Sequence, residues 1–299
     1  MSGAVHAVVV RFRGGDEVRR CLASLIENGG SRLRRIVLVD SGSGDAGARI
    51  LAEEFPTVLV RELGENLGFA HAANHGADQG DEPMLLLLNP DTEVLPGAIG
   101  ALCSLLEDRP GAAGAVPLLE RPGGRTQHLW QLRRLPTVTR LALGLAGAPA
   151  YRQPPSDHTA VVQPAAACWL VRRTVWDGLG GLNPDFAPAW WEDVDFCARL
   201  QDRLDQSSFP SIEGFVVHPS ARVRHAGGSS VPIIGDAAFL SAYNRNLLLY
   251  AALHHPARLS LIRSTLRTSL AFRSLVRPQR RRAYLAAMKS VRSFGEKKE

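Results

Sequence analysis

Two hydrophobic periods alternate along the first 120 residues. Val5–Phe12 is a β-branched apolar run closed by Gly14 and Gly15, and it predicts a buried strand. Asp16 can cap the helix that follows, in which Val18, Cys21, Leu22, Leu25 and Ile26 recur at helical spacing. Ile36–Val39 predicts a second strand, Ile50–Phe55 the end of a short helix and Val58–Val60 a third strand. Phe69–Asp78 predicts a helix, Met84–Leu88 a fourth strand, Leu95–Glu107 a helix opened by Pro96, and Ala112–Val116 a further strand. Strands apolar on both faces, alternating with helices, predict an α/β fold with a mostly parallel sheet covered by helices. The middle of the chain is less regular. Arg121–Gly124 predicts a turn, the Pro-rich stretch 146–156 a loop, and Ala165–Val171 a strand. Trp190–Arg203 begins as loop and becomes helix; Phe215–His218 predicts a strand ended by Pro219, and Gly227–Ser230 a flexible loop. From Asp236 the pattern is helical almost to the end, which divides the chain into a body over 1–235 and a helical extension over 236–299.

Composition adds limits. With 299 residues, 45% hydrophobic and 21% charged, the chain can bury a large core and is too apolar to be disordered. The four cysteines, at 21, 103, 168 and 197, form no C-x-x-C pair, which argues against a disulfide scaffold or a thiolate zinc site and fits a reducing compartment. The first residues lack the pattern of a signal peptide, and the longest aliphatic run, Leu85–Leu88, is too short to span a bilayer. The net charge of +6 is unevenly placed: residues 257–299 carry 12 Lys/Arg and two Asp/Glu, whereas the rest carries 23 basic and 27 acidic residues. A mildly acidic body with a basic end implies an anionic partner at that end. There Leu259, Ile262, Leu266, Leu270, Phe272 and Leu275 interleave with Arg258, Arg263, Arg267, Arg273 and Arg277, and Arg280–Arg282 follow Pro278. This reads as a basic amphipathic helix, a break and a second basic helix, a pattern suited to an anionic membrane surface. A helical appendage packed on the body is the other reading; nucleic acid is not expected, since no recognition module accompanies the charge.

Four segments carry candidate chemistry. After the second strand, Gly42, Gly44 and Gly47 spell G-x-G-x-x-G, with Glu62 ending the next strand, the outline of a dinucleotide fingerprint. Asp40, directly before the glycines, would repel a pyrophosphate there, so a Gly-rich turn or a strand-end aspartate facing a nucleotide pocket are the competing readings. Asn89-Pro90-Asp91-Thr92-Glu93 follows the fourth strand, where a carboxylate on a stiff turn suits a hard divalent cation. Trp190-Trp191-Glu192-Asp193-Val194-Asp195 places three carboxylates in four positions after two aromatic rings. Such crowding needs a metal, a proton to accept or a basic partner, or else belongs to an acidic first helical turn. His225-Ala-Gly-Gly-Ser-Ser230 adds a transition-metal ligand type beside glycines.

In their order and spacing, Ile36–Asp45, Glu65–Ala70, Leu86–Thr92 and Trp191–Cys197 resemble the inverting family 2 glycosyltransferases of the GT-A fold, closest to the rhamnosyltransferase-like members. Leu170–Arg173 with Gly180–Leu182, and Tyr243–Asn246, add to the resemblance, which spans Val5 to Tyr250. It implies a Rossmann-like sheet and a basic C-terminal helical extension. It also implies transfer of a sugar, rhamnose among the candidates, from a dTDP- or UDP-linked donor to a lipid-linked or small-molecule acceptor, with inversion and with Mg²⁺ or Mn²⁺. By the resemblance, Phe12, Asp40, Asn66, Gly68, Phe69 and Asn89 bind the nucleotide, and Asp91 and His225 hold the metal. Asp193 is then the base, with Glu192 and Asp195 kept as candidates, and Trp190 and Trp191 meet the acceptor. Where relatives carry an Asn-Tyr-Asn-like run, this chain has Arg11-Phe12-Arg13. A cytoplasmic enzyme, peripheral on the inner face of the plasma membrane and building cell-wall polysaccharide, is the implied setting. A nucleotidyltransferase, for which Arg11–Gly15 is a faint basic Gly-rich trace, and a non-catalytic nucleotide-sugar-binding protein are the alternatives.

Overall fold

A computed structural model describes residues 3–205, 213–227 and 234–295. Its elements are β1 (Val5–Arg11), α1 (Asp16–Asn28), β2 (Leu33–Asp40), α2 (Gly47–Glu54), β3 (Leu59–Glu62), α3 (Phe69–Ala77), β4 (Met84–Leu88), β5 (Thr92–Val94), α4 (Ala98–Asp108) and β6 (Ala112–Glu120). Then come α5 (His128–Gln131), β7 (Leu132–Arg133), α6 (Val138–Ala142), β8 (Thr159–Val161), β9 (Gln163–Pro164), β10 (Cys168–Arg172), α7 (Arg173–Leu179), α8 (Glu192–Asp205) and β11 (Glu213–His225). Helices α9 (Asp236–His254), α10 (Leu259–Val276) and α11 (Arg281–Arg292) close the chain.

Among the described residues the main sheet runs β3-β2-β1-β4-β10-β6-β11-β5, with β8 also paired to β11; β7 and β9 form a separate ribbon. β3, β2, β1, β4, β6 and β11 point one way and β10, β5 and β8 the other, so the sheet is mostly parallel. Because successive side chains leave a strand on opposite faces, each central strand feeds two cores. Val5, Ala7, Val9, Leu38, Leu86 and Leu88 pack with α1 and α4. Val8, Val10, Val37, Val39, Leu85 and Leu87 pack with α3, α7 and α8. This double burial is why the strands read as unbroken apolar runs. A third cluster joins α9, α10 and α11 to Leu141, Phe186, Trp191 and Val194.

The structure departs from the expected elements in several places. Asp16, expected to cap α1, is its first helical residue after Gly15, and no side chain caps this helix. The strand expected to end at Pro219 continues to His225 across a register irregularity between His218 and Arg222; the irregular stretch tolerates a residue with no N–H. The helix expected from Leu95 begins at Ala98 after Gly97, and the preceding Thr92–Val94 instead pairs with the end of β11. The short strands β5, β7, β8 and β9 were not anticipated, because two or three residues carry no readable period. Residues 228–230 of the expected glycine loop lie outside the described residues.

Candidate active site

In an open α/β sheet, the loops beyond the carboxyl ends of parallel strands form the ligand crevice, and the candidate residues gather at that edge. The register of β1 on β2 sets Arg11 opposite Asp40. Arg11 donates to Asp40 Oδ2 from Nη1, and from Nη2 to Asp45 Oδ1 at 2.7 Å and Gly14 O at 3.1 Å. Asp40 Oδ1 accepts the Ser43 amide at 2.8 Å. Arg11 is 1% and Asp40 3% exposed; the buried cation thus balances the strand-end carboxylate, and its hydrogen bond holds the Asp45 carboxyl below its usual range. The glycine motif makes room for this packing. Gly42 has φ +68°, and a Cβ there would lie 2.3 Å from the Glu65 carbonyl carbon; a Cβ on Gly47 would strike the Arg11 guanidinium. Beside it, Asn66 Oδ1 accepts from Ser41 Oγ at 3.2 Å and from the Gly68 amide at 3.0 Å. Gly68, at φ +95°, opens α3, and Phe69 N donates to Pro188 O at 2.7 Å. Phe12 is half-buried under the Arg13 guanidinium.

The second group lies past β4. The Asn89 amide is held by Ala167 O at 3.0 Å, and Asn89 O accepts from Thr92 Oγ1 at 2.7 Å, which closes the Asn-Pro-Asp turn. β5 pairs with the last residues of β11, with His225 opposite Thr92. That register brings His225 Nε2 to 3.4 Å from Asp91 Oδ1, with His225 3% and Asp91 8% exposed. Asp91 Oδ2 also accepts the Gly227 amide at 3.1 Å. Gln127 Nε2 donates to His225 O at 2.6 Å, which leaves Gln127 Oε1 to accept from His225 Nδ1 at 3.0 Å. The imidazole is thereby oriented with Nε2 toward Asp91, the outer-shell arrangement that metal-binding histidines use. Trp130 stacks on His225 with centroids 5.2 Å apart. One carboxylate and one oriented imidazole fit a divalent cation that takes its remaining oxygens from a diphosphate; among the described residues no group of three or more His, Cys, Asp or Glu could hold a metal by itself.

The three carboxylates of α8 receive different surroundings. Asp195 is 1% exposed and is held by Arg199 Nε and His254 Nε2, each at 2.8 Å, away from the crevice. Glu192 is buried with Oε2 unpartnered, and burial first, then the neighbouring Asp193, pushes its carboxyl well above the usual range. Asp193 keeps part of its surface open. Its Oδ2 faces Arg133 Nη2 at 3.4 Å, Gln163 Nε2 at 3.3 Å and Ala166 N at 3.4 Å, and its Oδ1 accepts Val194 N at 2.8 Å. Trp190 and Trp191 have φ +72° and +81°, a strained pair of left-handed non-glycine residues. Trp191, expected to offer a face to an acceptor, is 2% exposed and wedged against Tyr243 and Tyr250. Trp190 stays half-buried, edge-on to Phe239. Gln127, Trp130, Arg133 and Gln163 were not singled out from the sequence; the Gln127–Gln131 spacing on one helical face was their only trace.

The family model described as "Glycosyl transferase family 2" matches residues 7–178. The chain belongs to this family. An N-acetylglucosaminyl-diphospho-decaprenol L-rhamnosyltransferase of Mycobacterium tuberculosis is 30% identical over 97% of this glycosyltransferase and 99% of its own length. Among solved structures, GalNAc-T7 with UDP, GalNAc and Mn²⁺ matches at TM-score 0.64 and 17% identity, covering 83% of this chain and 48% of that one. A mannosyltransferase of Pyrobaculum calidifontis in complex with GDP-Man and Mn²⁺ matches at TM-score 0.55 and 16% identity, covering 99% and 88%. At these identities the solved structures speak to the fold, which is that of the GT-A glycosyltransferases. Of the readings left open by the sequence, the glycosyltransferase is the one the family assignment carries.

Proposed function

We propose that the enzyme transfers rhamnose from a dTDP- or UDP-linked donor to a lipid-linked acceptor, with inversion. The observation that carries the reading is the Asp91–His225 pair, whose imidazole is oriented by Gln127 at the mouth of the sheet. The rhamnosyl group and the lipid-diphosphate acceptor are taken from the mycobacterial relative's name. Asp91 and His225 would hold Mg²⁺ or Mn²⁺, and such an ion offsets the charge that builds on the departing diphosphate. Asp193 accepts the proton of the attacking hydroxyl from the face opposite the leaving group, which gives a single displacement. Of the three α8 carboxylates it is the one that combines a partly open surface with side-chain donors, Arg133 and Gln163, around the same oxygen. The nucleotide lies along Phe12, Asp40, Asn66–Phe69 and Asn89, and the basic α10–α11 end rests on an anionic membrane that carries the acceptor.

Transfer is tested with dTDP- and UDP-sugars, Mn²⁺ and a short-chain N-acetylglucosaminyl-diphospho-prenol, reading nucleoside diphosphate release and product mass. A true donor also raises the melting temperature, since ligand at a hundred times its Kd stabilises by about 2.7 kcal/mol. No release and no thermal shift with any donor overturns the reading. Excess chelator is expected to abolish transfer, and Asp91→Asn to lower it at least about a hundredfold; undiminished transfer in chelator removes the metal from the mechanism.

A further inference from the structure

We propose that Trp130 is the stacking platform for the acceptor sugar and positions its hydroxyl at Asp193. The inference rests on the proposed sugar transfer and extends it to a residue that belongs to none of the sequence motifs.

Trp130 is 46% exposed, yet the turn that carries it is built from buried parts. Gln127 is 9% and Gln131 0% exposed. Gln131 Oε1 accepts Leu119 N at 2.9 Å and its Nε2 donates to Pro117 O at 2.6 Å, which fastens α5 to β6. Gln127 fastens the same turn to the end of β11. The Trp130 and Gln131 amides both return to Gln127 O, at 2.9 and 2.8 Å. An indole backed by His225 and still half open to solvent, on so fixed a base, loses little freedom when something packs on its open part, the condition for a preorganised contact.

Its neighbours say where such a ligand would sit. One neighbour is His225, on the metal side. The other is Arg133, whose guanidinium carbon lies 5.9 Å from the Trp130 ring centroid and whose Nη2 reaches Asp193 Oδ2. The ring therefore touches one partner of the candidate metal site and one partner of the candidate base. Strand order gives the direction. Asp40 ends β2 and Arg11 ends β1, Asp91 lies between β4 and the edge strand β5, and the turn that carries Trp130 is fastened to β6 and to the end of β11 beside β5. A nucleotide anchored at β1 and β2 with its diphosphate at Asp91 points its sugar toward this ring, and the attacking sugar must enter between that point and Asp193. The apolar face of a pyranose fits a flat indole, and the polar edge is left for Asp193 and Arg133.

The test compares Trp130→Leu, which keeps apolar bulk without a ring, with Trp130→Phe, which keeps a ring. Half of the side chain is solvent-exposed, so both are expected to melt within a few degrees of the wild type. Three rates are read on the full chain: nucleoside diphosphate release without acceptor, its dependence on Mn²⁺, and transfer to a short-chain N-acetylglucosaminyl-diphospho-prenol. Trp130→Leu is expected to raise the acceptor KM about tenfold, with acceptor-independent release and the Mn²⁺ midpoint within about twofold of wild type. Trp130→Phe is expected to recover most of the acceptor KM. An unchanged acceptor KM in Trp130→Leu overturns the proposal. So does an equal loss of acceptor-independent release and of transfer with a shifted Mn²⁺ midpoint, which would make Trp130 a prop for His225, and so does a phenylalanine variant no better than leucine. Wild-type chain that releases nothing from any donor fails differently, because it removes the proposed transfer itself.

Discussion

Asp193 accepts from Arg133, Gln163 and two backbone amides, while Asp195 is spent on Arg199 and His254 and Glu192 has no partner at Oε2. On the proposed mechanism Asp193→Asn loses about two to four orders of magnitude in turnover but keeps the donor-induced thermal shift; full activity in that variant moves the base elsewhere. Asp195→Ala leaves Arg199 and His254 without their shared anion, and a loss of about 3–5 kcal/mol is expected in denaturant unfolding. For Glu192 the sign is set by its raised carboxyl. The folded chain holds this proton where the unfolded chain has released it, so the contribution is fully present below the ordinary value of 4.5 and is lost as pH climbs toward the folded value. Glu192→Gln is expected to flatten that fall in melting temperature, and parallel pH profiles for variant and wild type would refute it. The sequence placed these three side chains together but ranked them only by resemblance. The partners that separate them lie 60, 30 and 59 residues away, at Arg133, Gln163 and His254.

The loop before α8 shows how distant elements shape the crevice. Asn246 on α9 is fully buried, and its Nδ2 faces the carbonyls of Phe186 at 2.7 Å, Ala189 at 2.9 Å and Trp190 at 3.2 Å. The same loop meets α3 through Phe69 N and Pro188 O. A Cβ on Gly68 would fall 2.9 Å from Pro188 O. Asn246→Ala strands those carbonyls, and a loss of about 1–3 kcal/mol is expected in urea unfolding. Because this loop presents Trp190 and leads into Asp193, a drop in turnover beyond the unfolded fraction is expected too; unchanged stability would mean the carbonyls find other donors. Strands β1, β2 and β4 were legible because both faces are apolar. The passage of β11 through Pro219 was not, since pairing with β6 supplies what the local sequence argues against. Motif order named Asp91 and His225, but the β5–β11 register that joins them has no signature in either segment.

Across the whole molecule, charge and apolar surface separate from the chemistry. The basic end was expected to present an amphipathic face to lipid, yet Ile262, Leu266 and Leu270 of α10 are buried in the third core cluster. The apolar surface left open lies mainly at the end of that helix, where Phe272 is 63%, Leu275 73% and Val276 53% exposed. Exposed Arg277, Arg281 and Arg282 lie just beyond it in the chain, while Arg280 is paired with Asp236. Among the described residues no helix is long and apolar enough to cross a membrane; on the proposed reading attachment runs through the small apolar tip and the arginines that follow it in the chain. Such attachment weakens as salt shortens the Debye length from about 10 Å at 0.1 M to about 3 Å at 1 M. The chain is expected to float with anionic liposomes at low salt, to be released at high salt, and to stay behind with uncharged vesicles. Phe272→Ser with Leu275→Ser removes the tip without touching the buried side of α10, and is expected to abolish flotation while leaving transfer to a soluble short-chain acceptor unchanged. Transfer to the same sugar diphosphate on a long prenol in anionic vesicles should fall in that variant. Failure of the wild-type chain to float, or flotation that survives both substitutions, would leave α10 as a packing element and place the acceptor's lipid elsewhere.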